Sequence, residues 1–142
     1  MAISPTKVVR WKSLLSHLDL LFLNRYELER LVDVKGDDLH SAAALLVENG
    51  PQAVIVTEGE KGAFVCRRGG HLFSLEAHPV HVVDVTGAGD ALAAGTLFGV
   101  IQGFSIEKSL SLGLQAASFT IGSEKTVYPH LTSQLLLQGN AL

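Results

Sequence analysis

Val82-Val-Asp-Val-Thr-Gly-Ala-Gly-Asp-Ala-Leu-Ala-Ala-Gly95 sets a β-branched run, a turn of small residues and a helix start in immediate succession. This order makes an anion site. The first N–H groups of a helix have no intrahelical partner and lie at the positive end of its dipole, so they favour phosphate oxygens. Gly87, Ala88 and Gly89 carry little or no side chain to keep a phosphoryl group away from those amides. Asp90 is the anomaly, because a carboxylate at the mouth of such a site repels phosphate unless it has chemical work there. The role that suits it is general base, taking the proton of an attacking hydroxyl while the amides stabilise the transferring group. The alternative is structural: an acidic residue in a first turn complements the helix dipole.

The elements around this junction define the fold class. Upstream, Val80-His-Val-Val83 reads as a strand, and residues 62–67 and 71–76, joined by Arg68-Gly-Gly70, read as an antiparallel hairpin. Ala53–Thr57 is a buried strand followed by the glycine turn Glu58–Gly62, and Asp19–Leu23 is a second apolar strand bounded by polar residues. Helical spacing of apolar residues predicts helices over 7–18, from Asn24 to about Val32, and over 39–49, the last capped by Asp38 and stopped by Gly50-Pro51. Downstream, a long helix runs to about Gln102, Ser105 caps another over 106–121, and 130–138 forms the last. Helices alternating with buried strands predict an α/β fold, a mostly parallel sheet flanked by helices with one β-hairpin.

Composition narrows the function. The chain has 142 residues, 47% of them hydrophobic and 18% charged, with a net charge of −3. That is enough apolar chain for an ordinary core and too little charge for a disordered one. Eleven basic against fourteen acidic residues leave no electrostatic footprint for a nucleic-acid polymer. Cys66 has no second cysteine to pair with, which excludes a disulfide framework and suits a reducing, cytoplasmic setting. Residues 1–16 lack the continuous apolar core of a secretory signal, and the stretch Ala91–Glu107 is too short and too rich in Gly and Gln to span a bilayer. His78 and His81 flank Pro79 without metal-ligand spacing and read as surface histidines, Trp11 reads as core, and Arg67-Arg68 as a solvated turn.

Two familiar glycine motifs fail. No Gly-Lys-Ser/Thr occurs, so there is no Walker A loop, and Leu92 stands where a dinucleotide fingerprint places its third glycine. Instead, Asp84-Val-Thr-Gly-Ala-Gly-Asp90 resembles the second signature of the PfkB (ribokinase-like) family of carbohydrate and nucleoside kinases. Leu20-Leu-Phe-Leu-Asn24-Arg-Tyr-Glu27 is similar to that family's strand followed by Asn-x-x-Glu, and Val56-Thr57-Glu-Gly59-Glu-Lys-Gly62 to its Thr-x-Gly-x-x-Gly nucleotide loop. The three segments occur in the family's order.

The resemblance implies an ATP-dependent kinase acting on a hydroxyl of a sugar or nucleoside, with Asp90 as catalytic base and the amides of Gly87, Ala88, Gly89 and Asp90 as the anion hole. It implies that Asn24 and Glu27 help place Mg²⁺ and the ATP phosphates, Glu27 through water, since Mg²⁺ tends to keep several of its waters. An Asn version of the capping box accounts for the same pair, and both roles can hold together. Thr57, Gly59 and Gly62 would border the nucleotide; an ordinary strand exit is their plainer reading. Asp84 and Thr86 match positions that contribute a monovalent-cation (K⁺) site in many members. Val85 and Thr96 depart from the common pattern. Val-Thr-Gly-Ala-Gly-Asp, with Ser123-Glu-Lys-Thr-Val-Tyr-Pro129, is closer to the pseudouridine kinases; the altered late stretch bears on the cation site. Family members are about twice as long, so residues 1–142 are expected to be the C-terminal nucleotide-binding and catalytic part, without the N-terminal half and the β lid. Two functions follow as expectations: part of an active kinase, or an ATP- or ADP-binding fragment that turns nothing over and self-associates through an exposed sheet edge.

Overall fold

A computed structural model of the chain describes residues 14–32 and 38–138, which fall into two compact units divided between Ser74 and Leu75.

The first unit is an open sheet with helices. Its elements are β1 (Leu20–Asn24), α1 (Arg25–Val32), α2 (Leu39–Asn49), β2 (Ala53–Thr57), β3 (Ala63–Arg67) and β4 (His71–Leu75). The strands lie in the order β1-β2-β3-β4. β1 and β2 are parallel, Leu20 opposite Ala53 through to Asn24 opposite Thr57, and β3 runs antiparallel to β2. Parallel neighbours need a long crossover, which α1 and α2 supply. The sheet is therefore mixed: a parallel pair extended by the expected hairpin. Alternation along the strands sends Val54, Val56, Phe64 and Cys66 into one core with Leu28 and Leu31 of α1 and Ala42, Ala43, Leu46 and Val47 of α2. Burying each of the larger side chains there contributes about 1.5–3 kcal/mol. The Asp38 carboxylate accepts the Ser41 N–H at 3.0 Å, which starts α2 where the sequence predicts. Asp38 is accordingly held below the ordinary aspartate range. Of the helix expected over 7–18, residues 7–13 lie outside the described residues, and 14–17 form a single 3₁₀ turn.

The second unit is built on α3 (Ala88–Ile101), α4 (Ile106–Ile121) and α5 (Ser133–Gln138). α3 and α4 approach so closely that a Cβ added at Gly113 would stand 2.2 Å from the Thr96 hydroxyl and 2.6 Å from the Leu92 carbonyl. This explains Thr96: a larger residue would collide with α4, and its buried hydroxyl is satisfied by donating to the Leu92 carbonyl at 2.8 Å. Ser105 caps α4, its hydroxyl accepting the Lys108 N–H at 3.2 Å. Leu112, Ala116 and Leu136 form a small core between α4 and α5. The last helix begins at Ser133, later than 130, because the Thr132 hydroxyl caps it by accepting the Leu135 N–H at 3.2 Å.

The expected strand Val80–Val83 is not formed. A strand requires a ladder partner, and the N–H groups of Val83 and Asp84 both donate instead to the Ile121 carbonyl at the end of α4, at 2.9 and 3.2 Å.

Candidate active site

Each unit carries candidate residues of its own. In the second, the chain descends from Val83 into a turn closed by Asp84, whose Oδ1 accepts the Thr86 N–H at 2.8 Å. That bond holds the Asp84 carboxyl below the ordinary aspartate range, so it is anionic at neutral pH. Gly87 is the N-cap of α3 with φ 83° and ψ −4°, a left-handed conformation that glycine adopts without strain. Its carbonyl accepts the first helical bond, from the Ala91 N–H at 2.9 Å. The amides of Ala88, Gly89 and Asp90 lie in the first turn of α3. The Ala88 N–H donates to the Val85 carbonyl at 3.2 Å, closing the turn. At Gly89 nothing stands within 4 Å of where a Cβ would be, and Asp90 is exposed in the first turn of the helix. The structure thus places Asp84, Thr86 and residues 87–90 in one turn.

It adds a neighbour that the motif does not contain. A Cβ on Gly87 would lie 2.3 Å from the Thr126 carbonyl oxygen, so the late segment is in contact with the turn at Gly87. Such a contact, between residues 39 apart, leaves no local mark in the sequence.

In the first unit, Asn24 and Glu27 bond reciprocally: the Glu27 N–H donates to Asn24 Oδ1, and the Asn24 N–H to Glu27 Oε2, both at 2.9 Å. The capping box is real, and it holds the Glu27 carboxylate at the start of α1. Asn24 is the register partner of Thr57, so these residues stand side by side where β1 and β2 end. Ligands of open α/β sheets bind beyond the carboxyl ends of parallel strands, and Gly59 and Gly62 follow there directly. Residues Gly59–Lys61 make one 3₁₀ turn, closed by the Glu58 N–H on the Gly62 carbonyl at 2.9 Å and the Gly62 N–H on the Gly59 carbonyl at 3.1 Å. Gly59 faces open space with φ 64°.

Among the described residues no group of three or more His, Cys, Asp or Glu could hold a metal ion. The donors present fit a Mg²⁺ ion bound chiefly by nucleotide phosphates and water, with one carboxylate, Glu27, fixed in place nearby. No helix among those residues is long and apolar enough to cross a membrane.

With this geometry in view, the chain matches the pfkB family carbohydrate kinases over residues 3–133, and it belongs to that family. It is 36% identical over 107 residues to a cytidine kinase of Thermococcus kodakarensis, a match covering 75% of this chain and 38% of that protein. Among solved structures it is similar to adenosine kinase of Sinorhizobium meliloti, with TM-score 0.84 and 32% identity over 96% of this chain and 41% of the other. Arabidopsis thaliana ribokinase complexed with ribose and ATP gives TM-score 0.82 and 27% identity over 92% of this chain and 43% of that one. The fold is ribokinase-like, and the chain spans less than half the length of these relatives.

Proposed function

We propose that this chain is the nucleotide-handling part of an ATP-dependent sugar or nucleoside kinase, with Asp90 as its base. The observation that carries the reading is Asp90 exposed in the first turn of α3, directly after the left-handed Gly87 and the open Gly89. In the reaction the Asp90 carboxylate takes the proton of the acceptor hydroxyl as its oxygen attacks the γ-phosphorus of ATP. The bond from that phosphorus to the β–γ bridging oxygen breaks, and ADP leaves with the electron pair. The amides at Gly89 and Asp90, with the turn at Gly87 and Ala88, stabilise the negative charge on the transferring group. Thr57, Gly59 and Gly62 border the nucleotide beside Asn24 and Glu27. Bound Mg²⁺ would neutralise phosphate charge, with Glu27 holding one of its waters. Asp84, kept anionic by the Thr86 amide, and Thr86 are the residues for a K⁺ ion. The wording of Val85–Asp90 makes pseudouridine the acceptor to try first, and the buried lone thiol of Cys66 suits a cytoplasmic protein.

Calorimetric titration with Mg-ATP, beside kinase assays on pseudouridine, cytidine and ribose, tests this. Asp90→Asn is expected to bind Mg-ATP as the parent does and to lower kcat by two to four orders of magnitude, roughly the contribution of a general base. An absence of Mg-ATP binding, or full turnover in Asp90→Asn, would refute the proposal.

A second reading is favoured by length. The match spans 38% of a homologous kinase, and on this reading the chain is a nucleotide binder alone. It would then bind ATP or ADP, turn nothing over alone, and associate with another copy or with the remaining half.

A further inference from the structure

The late segment has a role that the motifs do not assign. Phe119, on the last turn of α4, stacks on Tyr128 with centroids 5.4 Å apart and rings 18° from parallel. The His130 ring meets Tyr128 edge-on at 5.8 Å and 77°. Between Phe119 and Tyr128 the chain turns back on itself: the Ser123 N–H donates to the Thr120 carbonyl and the Lys125 N–H to the Ser123 hydroxyl, both at 3.1 Å. Beyond it, the Leu131 N–H closes on the Tyr128 carbonyl at 3.1 Å. Tyr128 is therefore the ring by which this segment grips α4, and two residues before it stands Thr126, whose carbonyl lies against Gly87. The same end of α4 also holds the approach to the turn, through the Ile121 carbonyl that accepts the Val83 and Asp84 N–H groups.

We infer that the Phe119–Tyr128 stack positions the anion-site turn, by holding segment 122–130 so that the Thr126 carbonyl closes on Gly87 from outside. The turn 84–90 is exposed or half-exposed throughout. With the Thr126 carbonyl in place, the left-handed conformation at Gly87 is confined on one side by α3 and on the other by the late segment. The Gly89 and Asp90 amides then stay aimed without reorganising when phosphate arrives, which is what a preorganised anion site requires. Phe119 and Tyr128 are positioning residues, acting through Thr126 and Gly87. The consequence for binding rests on the kinase reading above; the mechanical coupling does not.

Hydrogen–deuterium exchange on the 142-residue chain separates the two. Tyr128→Ala should raise exchange in 122–130 and, with it, in 84–90 by about two- to tenfold, the range an aromatic pair supports. The Kd for Mg-ADP, read by calorimetry, should rise by a similar factor. Tyr128→Phe keeps the stack and should restore both. If Tyr128→Ala loosens the whole chain, Tyr128→Leu and Phe119→Leu take its place with the same readout. Faster exchange confined to 122–130, with 84–90 and Mg-ADP affinity unmoved, would overturn the inference. Coupled exchange in a chain that binds no Mg-ADP would leave the clamp standing and remove the nucleotide reading instead.

Discussion

Gly87 is the residue on which the 84–90 turn depends, and two independent constraints fall on it. Its φ of 83° is costly for any residue with a Cβ, and the Thr126 carbonyl occupies the place that a Cβ would take, 2.3 Å away. Gly87→Ala should therefore cost more than the 1–3 kcal/mol, roughly, of a left-handed non-glycine alone. Because the neighbour is backbone, relief must come from moving the late segment or the turn. The expected outcome is a lowered denaturation midpoint together with weakened Mg-ATP affinity, whereas a purely local strain would lower the first and spare the second. Asp84 makes a different prediction at the same turn. Its folded-state pKa is depressed because the carboxylate accepts the Thr86 N–H, so its contribution is complete above the ordinary aspartate pKa. That contribution is lost as pH falls through the depressed value. Urea denaturation of the parent and Asp84→Asn should differ at about pH 7 and converge as pH falls through the depressed value. A gap that persists unchanged into acid would show that the charge is irrelevant there. The turn geometry of the candidate segment 84–90 was readable because it is local: glycines, an Asx turn and a first-turn acid are adjacent in sequence. The Thr126 contact was not, since nothing within reach of Gly87 along the chain encodes it.

Elements were legible where their ends carry their own chemistry. The helices over 39–49 and 106–121 and the strand over 53–57 appear with the expected bounds, because Asp38 and Ser105 cap with their side chains and Ala53–Val56 is buried without interruption. Val80–Val83 was misread for the converse reason: a β-branched run looks the same in sequence whether or not another strand lies beside it. The pairing of Asn24 with Thr57 is likewise a property of register between strands 33 residues apart and not of either motif. The capping box at the start of α1 lets its structural and functional roles be separated by substitution. Asn24→Ala removes the acceptor for the Glu27 N–H and should cost about 0.5–2 kcal/mol of stability. Glu27→Gln retains a side chain able to accept the Asn24 N–H, so stability should hold to within a few tenths of a kcal/mol, the scale of a minor cap change. Only the charge is lost. If Glu27 serves Mg²⁺ through water, Glu27→Gln should weaken Mg-ATP binding several-fold while leaving metal-free ATP binding unchanged. Equal affinities for both in parent and variant would reduce Glu27 to a cap.

At the scale of the whole chain, apolar side chains of α3 stand uncovered among the described residues. α3 carries one charged residue, Asp90, in fourteen positions. Its buried side, Leu92, Gly95, Thr96 and Gly99, includes the close approach to α4, yet Leu97, Val100 and Ile101 on other sides are exposed, Ile101 by 80%. A helix apolar all round belongs in an interior, and an apolar strip left in water favours association. The relatives are more than twice as long as the segment matched. The expectation is concentration-dependent self-association of the isolated chain, measurable by light scattering across a dilution series. Ile101→Lys places a charge on the most exposed of these side chains without touching Asp90 or the α3–α4 contact. It should shift the population toward monomer while Mg-ATP affinity stays within about twofold, since the site's amides lie at the other end of a helix that rises about 1.5 Å per residue. A parent chain that stays monomeric at all concentrations would mean that the exposed strip is tolerated as it stands. Loss of nucleotide affinity in Ile101→Lys would mean instead that association completes the site, and that two copies, not one, are the unit that binds.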